Sequence, residues 1–201
     1  MKTILFLLAI LSVSAFGKSK LDLSLSNVPE FRSKEVLLQP TKSDLTLGNT
    51  KAKVQVVVFD SYSCVHCARF YEEIFPDLNR DYIATNKISF VHKSFPLDKR
   101  ALFATKVVNC SSNKLAQIQY VYQNQDALIM GNSYEEQLLD LSGVNKTCVE
   151  KYDEEELTKE IFEYSKVLEI RGTPTILVNG KKVERFSKKN LISAIETELG
   201  K

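Results

Sequence analysis

Between Val54 and Arg69 the chain changes its apolar period, and two cysteines stand at the change. Val54–Asp60 reads Val-Gln-Val-Val-Val-Phe-Asp, nearly all apolar and rich in β-branched residues, as a strand buried on both faces reads. After Cys64-Val-His-Cys67, the residues Phe70, Ile74, Phe75 and Leu78 recur at helical steps. A strand is therefore expected to hand over to a helix running from about Cys64 to Tyr82. Ser61 or Ser63 would be its N-cap, and Pro76 would kink it. At such a helix start, unsatisfied backbone N–H groups and the positive end of the dipole favour an anion. The anion available is a thiolate, and a thiol so placed has its pKa depressed to anywhere from about 3.5 to 7.5. Only the thiolate attacks a disulfide. Cys67 lies about one turn beyond Cys64, close enough to close a disulfide with it. That is the geometry of a dithiol redox centre.

Two other readings of the motif stand beside this one. A Cys-x-x-Cys can be half of a zinc site, but the remaining candidates His66, His92, Cys110 and Cys148 form no second ligand pair. It can also be a purely structural bridge in a secreted protein. The strand before and the helix after favour redox chemistry, with no metal and no cofactor. His66 is either a surface loop histidine or an imidazolium that further favours the Cys64 thiolate.

The N-terminus sets the compartment. Lys2 precedes the apolar run Ile4–Leu11, which is far shorter than the roughly 20 residues that span a bilayer. Small residues follow across Ser12–Gly17. Residues 1–17 thus read as a secretory signal peptide, cut after Ala15 or Gly17. The remainder is expected to be exported, soluble and periplasmic, where disulfides persist. Hydrophobic residues make up 44% of the chain and charged residues 26%, as in a soluble globular protein. A formal net charge of +2 is too small to suggest nucleic acid as a partner.

Residues 18–50 read as a polar exported segment with one short strand near Glu35–Leu38, and Gly48-Asn49 is a turn signal. Ile88–Lys93 alternates as a second strand and Phe95-Pro96-Leu97 ends it. From Asp98 to about Leu168 the period is helical, with segments at Ala101–Cys110, Leu115–Gln123, Tyr134–Leu141 and Glu155–Leu168. Strand character returns at Arg171-Gly-Thr-Pro-Thr-Ile-Leu-Val-Asn-Gly180, where Asn179-Gly180 signals a hairpin. Ser187 caps a last helix to about Leu199. The expected architecture is an α/β core from residues 51–97 and 169–201, interrupted by a helical insertion at 98–168. With two of four cysteines committed to the redox centre, Cys110 and Cys148 are left to form a structural disulfide inside the insertion. The alternative is two buried free cysteines acting as small core residues.

Three motifs carry a resemblance over roughly Leu47–Leu199. They are Gly48-Asn49 leading through a strand to Cys64-Val-His-Cys67, then Phe90-Val-His-Lys-Ser-Phe-Pro-Leu97, then Gly172-Thr-Pro-Thr175 with Val178-Asn-Gly180. In this order the chain resembles the DsbA-like thiol:disulfide oxidoreductases of the thioredoxin superfamily. The resemblance implies a thioredoxin fold with an inserted α-helical subdomain. It implies that Cys64 attacks, that Cys67 resolves, and that a cis Thr173–Pro174 bond lies beside Cys64. Such a bond would turn the backbone of Thr173 toward the thiol, where it could pair with an extended peptide.

The chain departs from the family pattern at two positions. Many thioredoxin-fold enzymes carry a buried acid six residues before the first cysteine, and here that residue is Val58. Asp60 projects from the same strand face and either substitutes for that acid or sits exposed at the strand end. Thr173 before the proline resembles the isomerase branch, whereas the best-known oxidases carry Val. The leading expectation is an oxidase that introduces disulfides into reduced or misoxidised exported proteins and is reoxidised by a membrane redox partner. The alternatives are a disulfide isomerase or reductase, and a non-enzymatic binding module with a structural disulfide.

Overall fold

The computed structural model describes residues 31–141 and 143–200. The expected signal peptide and the first part of the polar segment lie outside the described residues. Among the described residues the strands are β1 Leu45–Gly48, β2 Val54–Asp60, β3 Ile88–Ser94, β4 Thr175–Val178 and β5 Lys181–Lys182. They form one mixed sheet in the order β1-β3-β2-β4-β5. β2 and β3 run parallel, and the other neighbours are antiparallel.

β2 is central and its side chains divide by parity. Val54, Val56 and Val58 join a core with Phe70, Leu78, Leu191 and Ile195. Val57 and Phe59 join a second core on the other face with Leu37, Leu38, Tyr164 and Leu177. Burial on both faces is why the strand reads as an unbroken apolar run.

A parallel β2–β3 pair needs a crossover connection. Here it is a composite helix: α2 Val65–Arg69, a π turn at Phe70–Ile74, α3 Phe75–Leu78, and a second π turn at Asn79–Ile83. Pro76 falls in the first turn of α3, where its missing N–H costs least. The N–H of Phe75 bonds to Phe70 O, five residues back. The helix accommodates the proline by widening one turn ahead of it, where the sequence leads one to expect a mid-helix kink.

The polar segment contributes more than its composition suggests. The short strand expected near Glu35–Leu38 is instead a helix, α1 Lys34–Leu38, with the Ser33 hydroxyl accepting from Val36 N and Leu37 and Leu38 buried. Ser33 is an N-cap signal, and Pro40 is a stop signal just beyond the helix end. β1 pairs with β3, so the sheet begins before residue 51. Leu45 and Leu47 alternate onto the first core. At Gly48, with φ 77°, a Cβ would lie 2.4 Å from Ile88 O, so only glycine lets the strand end there.

The insertion between β3 and β4 holds α4 Lys99–Asn109, α5 Lys114–Gln123, α6 Gln125–Leu128, α7 Tyr134–Leu139, α8 Lys146–Glu150 and α9 Glu154–Val167. Asp98, Asn113, Asn145 and Asp153 cap α4, α5, α8 and α9 through their side chains. A disulfide joins Cys110, at the end of α4, to Cys148 in α8, with the Cα atoms 5.7 Å apart. Asn145 N donates to Cys110 O beside it at 3.0 Å. Tyr164 of α9 meets Phe59 edge-on across the second core, ring centroids 5.0 Å apart. α10 Lys188–Leu199, capped by Ser187, packs Leu191 and Ile195 on the first core. Asn179 and Gly180 both take positive φ, as a two-residue type I′ hairpin turn requires. No helix among the described residues is long and apolar enough to cross a membrane.

Candidate active site

The start of α2 is built so that a thiol takes the place of a capping hydroxyl. Cys64 itself is the N-cap, with φ −89° and ψ 112°, and its Sγ accepts from Cys67 N at 3.3 Å. The two serines expected to cap are used elsewhere. Ser61 Oγ accepts from Leu97 N at 3.1 Å and lies 3.2 Å from Ser63 Oγ. They hold the loop to the end of β3 and leave the helix N-terminus to sulfur.

Cys64 and Cys67 are both reduced. Cys64 keeps 8% of its surface exposed and Cys67 none. The Thr173–Pro174 peptide is cis, and the Cys64 thiol donates to Thr173 O at 3.3 Å. The Cys64 pKa is lowered to about 6. The largest cause is a hydrogen bond from the Cys67 thiol, which outweighs the penalty of burial. The side chain of Thr173 and the backbone N–H groups of Cys67 and His66 add to it. The Thr173 hydroxyl has no full hydrogen bond in the dithiol state, yet lies near enough to favour the thiolate. Burial pushes Cys67 the opposite way, far above an ordinary thiol, with the hydrogen bond to Cys64 and the charge of Asp60 adding to it. One sulfur is thus poised to ionise and the other to hold its proton.

His66 acts on Cys64 through its backbone N–H, while its side chain is exposed and helps line a groove of about 560 Å³ beside the thiol. Phe70, Ile74, Pro174 and Phe186 give that groove its apolar wall.

Asp60 is not at an exposed strand end; it is only 1% exposed. Its Oδ1 lies 2.7 Å from Nε2 of His92, which is also buried. Three tyrosines from different elements close over the pair. Tyr62 and Tyr71 each stand 6.2 Å from the His92 ring, and Tyr122 of α5 stacks on Tyr71 at 4.7 Å. Burial, then the charge of Asp60, holds all three phenols well above their ordinary pKa. Asp60 Oδ2 and the hydroxyls of Tyr62 and Tyr122 have no hydrogen-bond partner among the described residues, and the Tyr71 hydroxyl lies near enough to Asp60 to interact with it.

His92 enters the sequence reading only as a candidate metal ligand and not as a partner of Asp60, though a signal for its burial is present. Ile88, Phe90 and His92 share one face of β3 by parity, and Ile88 and Phe90 lie in the first core. Tyr122 and Gln125 carried no such signal, because the insertion folds back onto the core to bring them here. Gln125 Nε2 donates to Tyr62 O at 2.6 Å and to Cys64 O at 3.2 Å.

Known proteins share both the sequence and the architecture. A family model described as thioredoxin matches residues 40–197. A Rickettsia prowazekii protein, named by inference a protein-disulfide oxidoreductase, is 32% identical over 182 residues, covering 85% of this chain and 67% of the relative. The corresponding Rickettsia typhi protein is 31% identical over 176 residues, covering 82% of this chain and 65% of the relative. The chain therefore spans about two thirds of the length of these relatives. Among solved structures, Wolbachia pipientis alpha-DsbA1 superposes with a TM-score of 0.72 at 22% identity, covering 84% of this chain and 96% of that one. Oxidised BdbD from Bacillus subtilis gives 0.64 at 24% identity, covering 81% and 97%. With its sheet, its crossover helix, its helical insertion and its sequence matches, the chain belongs to the thioredoxin family of protein-disulfide oxidoreductases and shares its fold with solved DsbA structures.

Proposed function

We propose that the protein is an exported, periplasmic oxidase that introduces disulfides into reduced or misoxidised exported proteins through Cys64 and Cys67. One observation carries the reading: the more exposed thiol caps a helix, has a pKa lowered to about 6, and faces the Thr173 carbonyl. In the forward reaction the enzyme starts oxidised. A substrate thiolate attacks Cys64 Sγ, the Cys64–Cys67 bond breaks, and Cys67 leaves with the electron pair and takes up a proton. The product is a mixed disulfide. The substrate's second thiolate then attacks the substrate sulfur of that bond and expels Cys64 as a thiolate. The substrate loses two electrons and the enzyme gains them. A low Cys64 pKa makes that thiolate a good leaving group and stabilises the reduced enzyme, which makes the disulfide oxidising. Asp60, paired with His92, is the buried acid nearest in role to manage the Cys67 proton. A membrane redox partner would take the electrons onward.

A second reading, isomerase or reductase, rests on Thr173 as the residue before the proline. The redox potential of the Cys64–Cys67 couple separates the two. About −120 mV supports the oxidase, about −270 mV a thioredoxin-like reductase, and below about −300 mV a structural bridge.

A further inference from the structure

We propose that Gln125, from the helical insertion, is a positioning residue for the Cys64 nucleophile. The inference rests on the dithiol reading above and adds a part to it that lies outside the thioredoxin core.

The loop from β2 to α2 is short and turns sharply, with Cys64 N donating to Ser61 O at 2.9 Å. Two of its carbonyls, those of Tyr62 and Cys64, accept from Gln125 Nε2 at 2.6 and 3.2 Å. A primary amide nitrogen carries two N–H donors, so this geometry uses both. Gln125 is buried at the first position of α6. The Cys64 carbonyl has further duties, since it also accepts from Cys67 N at 3.0 Å and Ala68 N at 3.2 Å. The carbonyl that begins the active-site helix is therefore the one held by the insertion.

This hold fixes the peptide planes on either side of Ser63–Cys64, and with them the ψ of 112° that aims Sγ at the Cys67 N–H. The N–H donors that favour the thiolate act only while that aim is kept. Tyr122, one turn earlier, packs against both Tyr62 and Tyr71. The insertion thus touches the chain before and after the two cysteines, and Gln125 makes a polar contact with the loop that leads into α2.

The test compares the full chain with Gln125→Glu and Gln125→Met. Glutamate keeps the shape but offers acceptors to two carbonyls and adds negative charge near the thiolate. Methionine keeps the volume and removes both donors. Cys64 ionisation is followed by its ultraviolet thiolate absorbance against pH, and reactivity by alkylation at neutral pH. Gln125→Glu should lower the thiolate's acid constant about tenfold or more, one pKa unit being a factor of ten. Gln125→Met should lower it by a smaller factor, and alkylation should slow in the same order. In the unaltered protein the side-chain amide resonances of Gln125 should shift with the Cys64 titration, a readout that needs no variant to fold. Folded variants that titrate like the unaltered protein, or Gln125 resonances indifferent to Cys64, overturn the proposal. A failed dithiol reading looks different: the unaltered protein itself lacks a low-pKa thiolate, and Cys64→Ser keeps exchange activity.

Discussion

One cysteine of each pair occupies the same helix position, and the two pairs present opposite chemistry. Cys67 is the third residue of α2 and Cys148 the third residue of α8. At α2 the N-cap is Cys64, whose sulfur accepts the Cys67 N–H. At α8 the N-cap is Asn145, whose Oδ1 accepts the Cys148 N–H at 3.0 Å. Where an amide oxygen caps, the helix's donors are satisfied and no thiol gains from them. Cys148 is bonded instead to Cys110, which sits at the C-terminal end of α4, where the dipole disfavours an anion. The lesson is that a cysteine near a helix start is not enough. The sulfur must be the capping atom, and a second sulfur must wait, protonated and buried, behind it.

The sharpest break between the pairs should be functional. Cys64→Ser should reduce disulfide exchange to background, and Cys67→Ser should accumulate mixed disulfides, read by non-reducing gels with a dithiol peptide. Cys110→Ala/Cys148→Ala should keep the exchange rate. Preferential alkylation of Cys67 at neutral pH would reverse the assignment of nucleophile.

Stability should break the other way. The Cys110–Cys148 bridge spans 38 residues, and closing a loop of that size is worth about 4 kcal/mol on the chain-entropy model. The double alanine variant should lose up to that amount in denaturant titration. Thiol counting on the denatured, active-site-reduced protein should find two reactive thiols, and finding four would remove the bridge.

The active-site pair should instead make stability depend on pH. An unfolded cysteine has a pKa of about 8.5, and Cys64 folded is lowered to about 6. A lowered pKa stabilises the fold fully above the unfolded value, and the gain is lost as pH falls through the folded one. Cys67 is raised, so its contribution is present below the unfolded value and lost above it. The reduced protein should therefore gain on the order of 3 kcal/mol between pH 6 and about 8.5, and lose stability beyond. The oxidised protein should show neither limb, and melting both forms across pH is the check.

The smallest effects lie at the caps and the groove. Asn145→Ala should cost about 1 kcal/mol, the usual value of an N-cap, without moving the redox potential. His66→Leu should move the potential only slightly, because its backbone N–H remains in place beside Cys64. His66→Pro removes that N–H and should make the disulfide harder to reduce. An equal shift in both variants would assign the effect to the imidazole ring.

Much of this was legible in the chain because local rules and the fold agree. The apolar run at Val54–Phe59 is a doubly buried strand, Asn179-Gly180 is a hairpin turn, and Ser187 is a cap. Sequence and structure part where a segment is too short to display a period, as at α1 and β1, and where a cysteine does a serine's work at the start of α2. The environment of the site was the least legible part. Asp60 could be singled out, but not its pairing with His92, which reaches it from the position across from Val58 and so depends on strand register. Lys93 is wholly buried against Asp44, with Nζ 2.6 Å from Oδ2, a pairing across 49 positions that no local pattern announces. Tyr122 and Gln125 reach the thiols only because the insertion folds back.

The sheet's margins bear on how such a protein survives its own occupation. A catalyst working among unfolded, thiol-bearing chains meets extended segments continually, and a bare sheet edge is a template for aggregation. β5 is two residues long, and both are exposed lysines. At the opposite margin, the carbonyls of Lys42 and Ser43 just ahead of β1 are occupied by Lys114 Nζ, each at 2.8 Å. Among the described residues neither edge strand is long, with two residues in β5 and four in β1. A passing chain therefore finds only a short edge to join as another strand, which under the proposed function leaves its productive encounter to the face that carries Cys64.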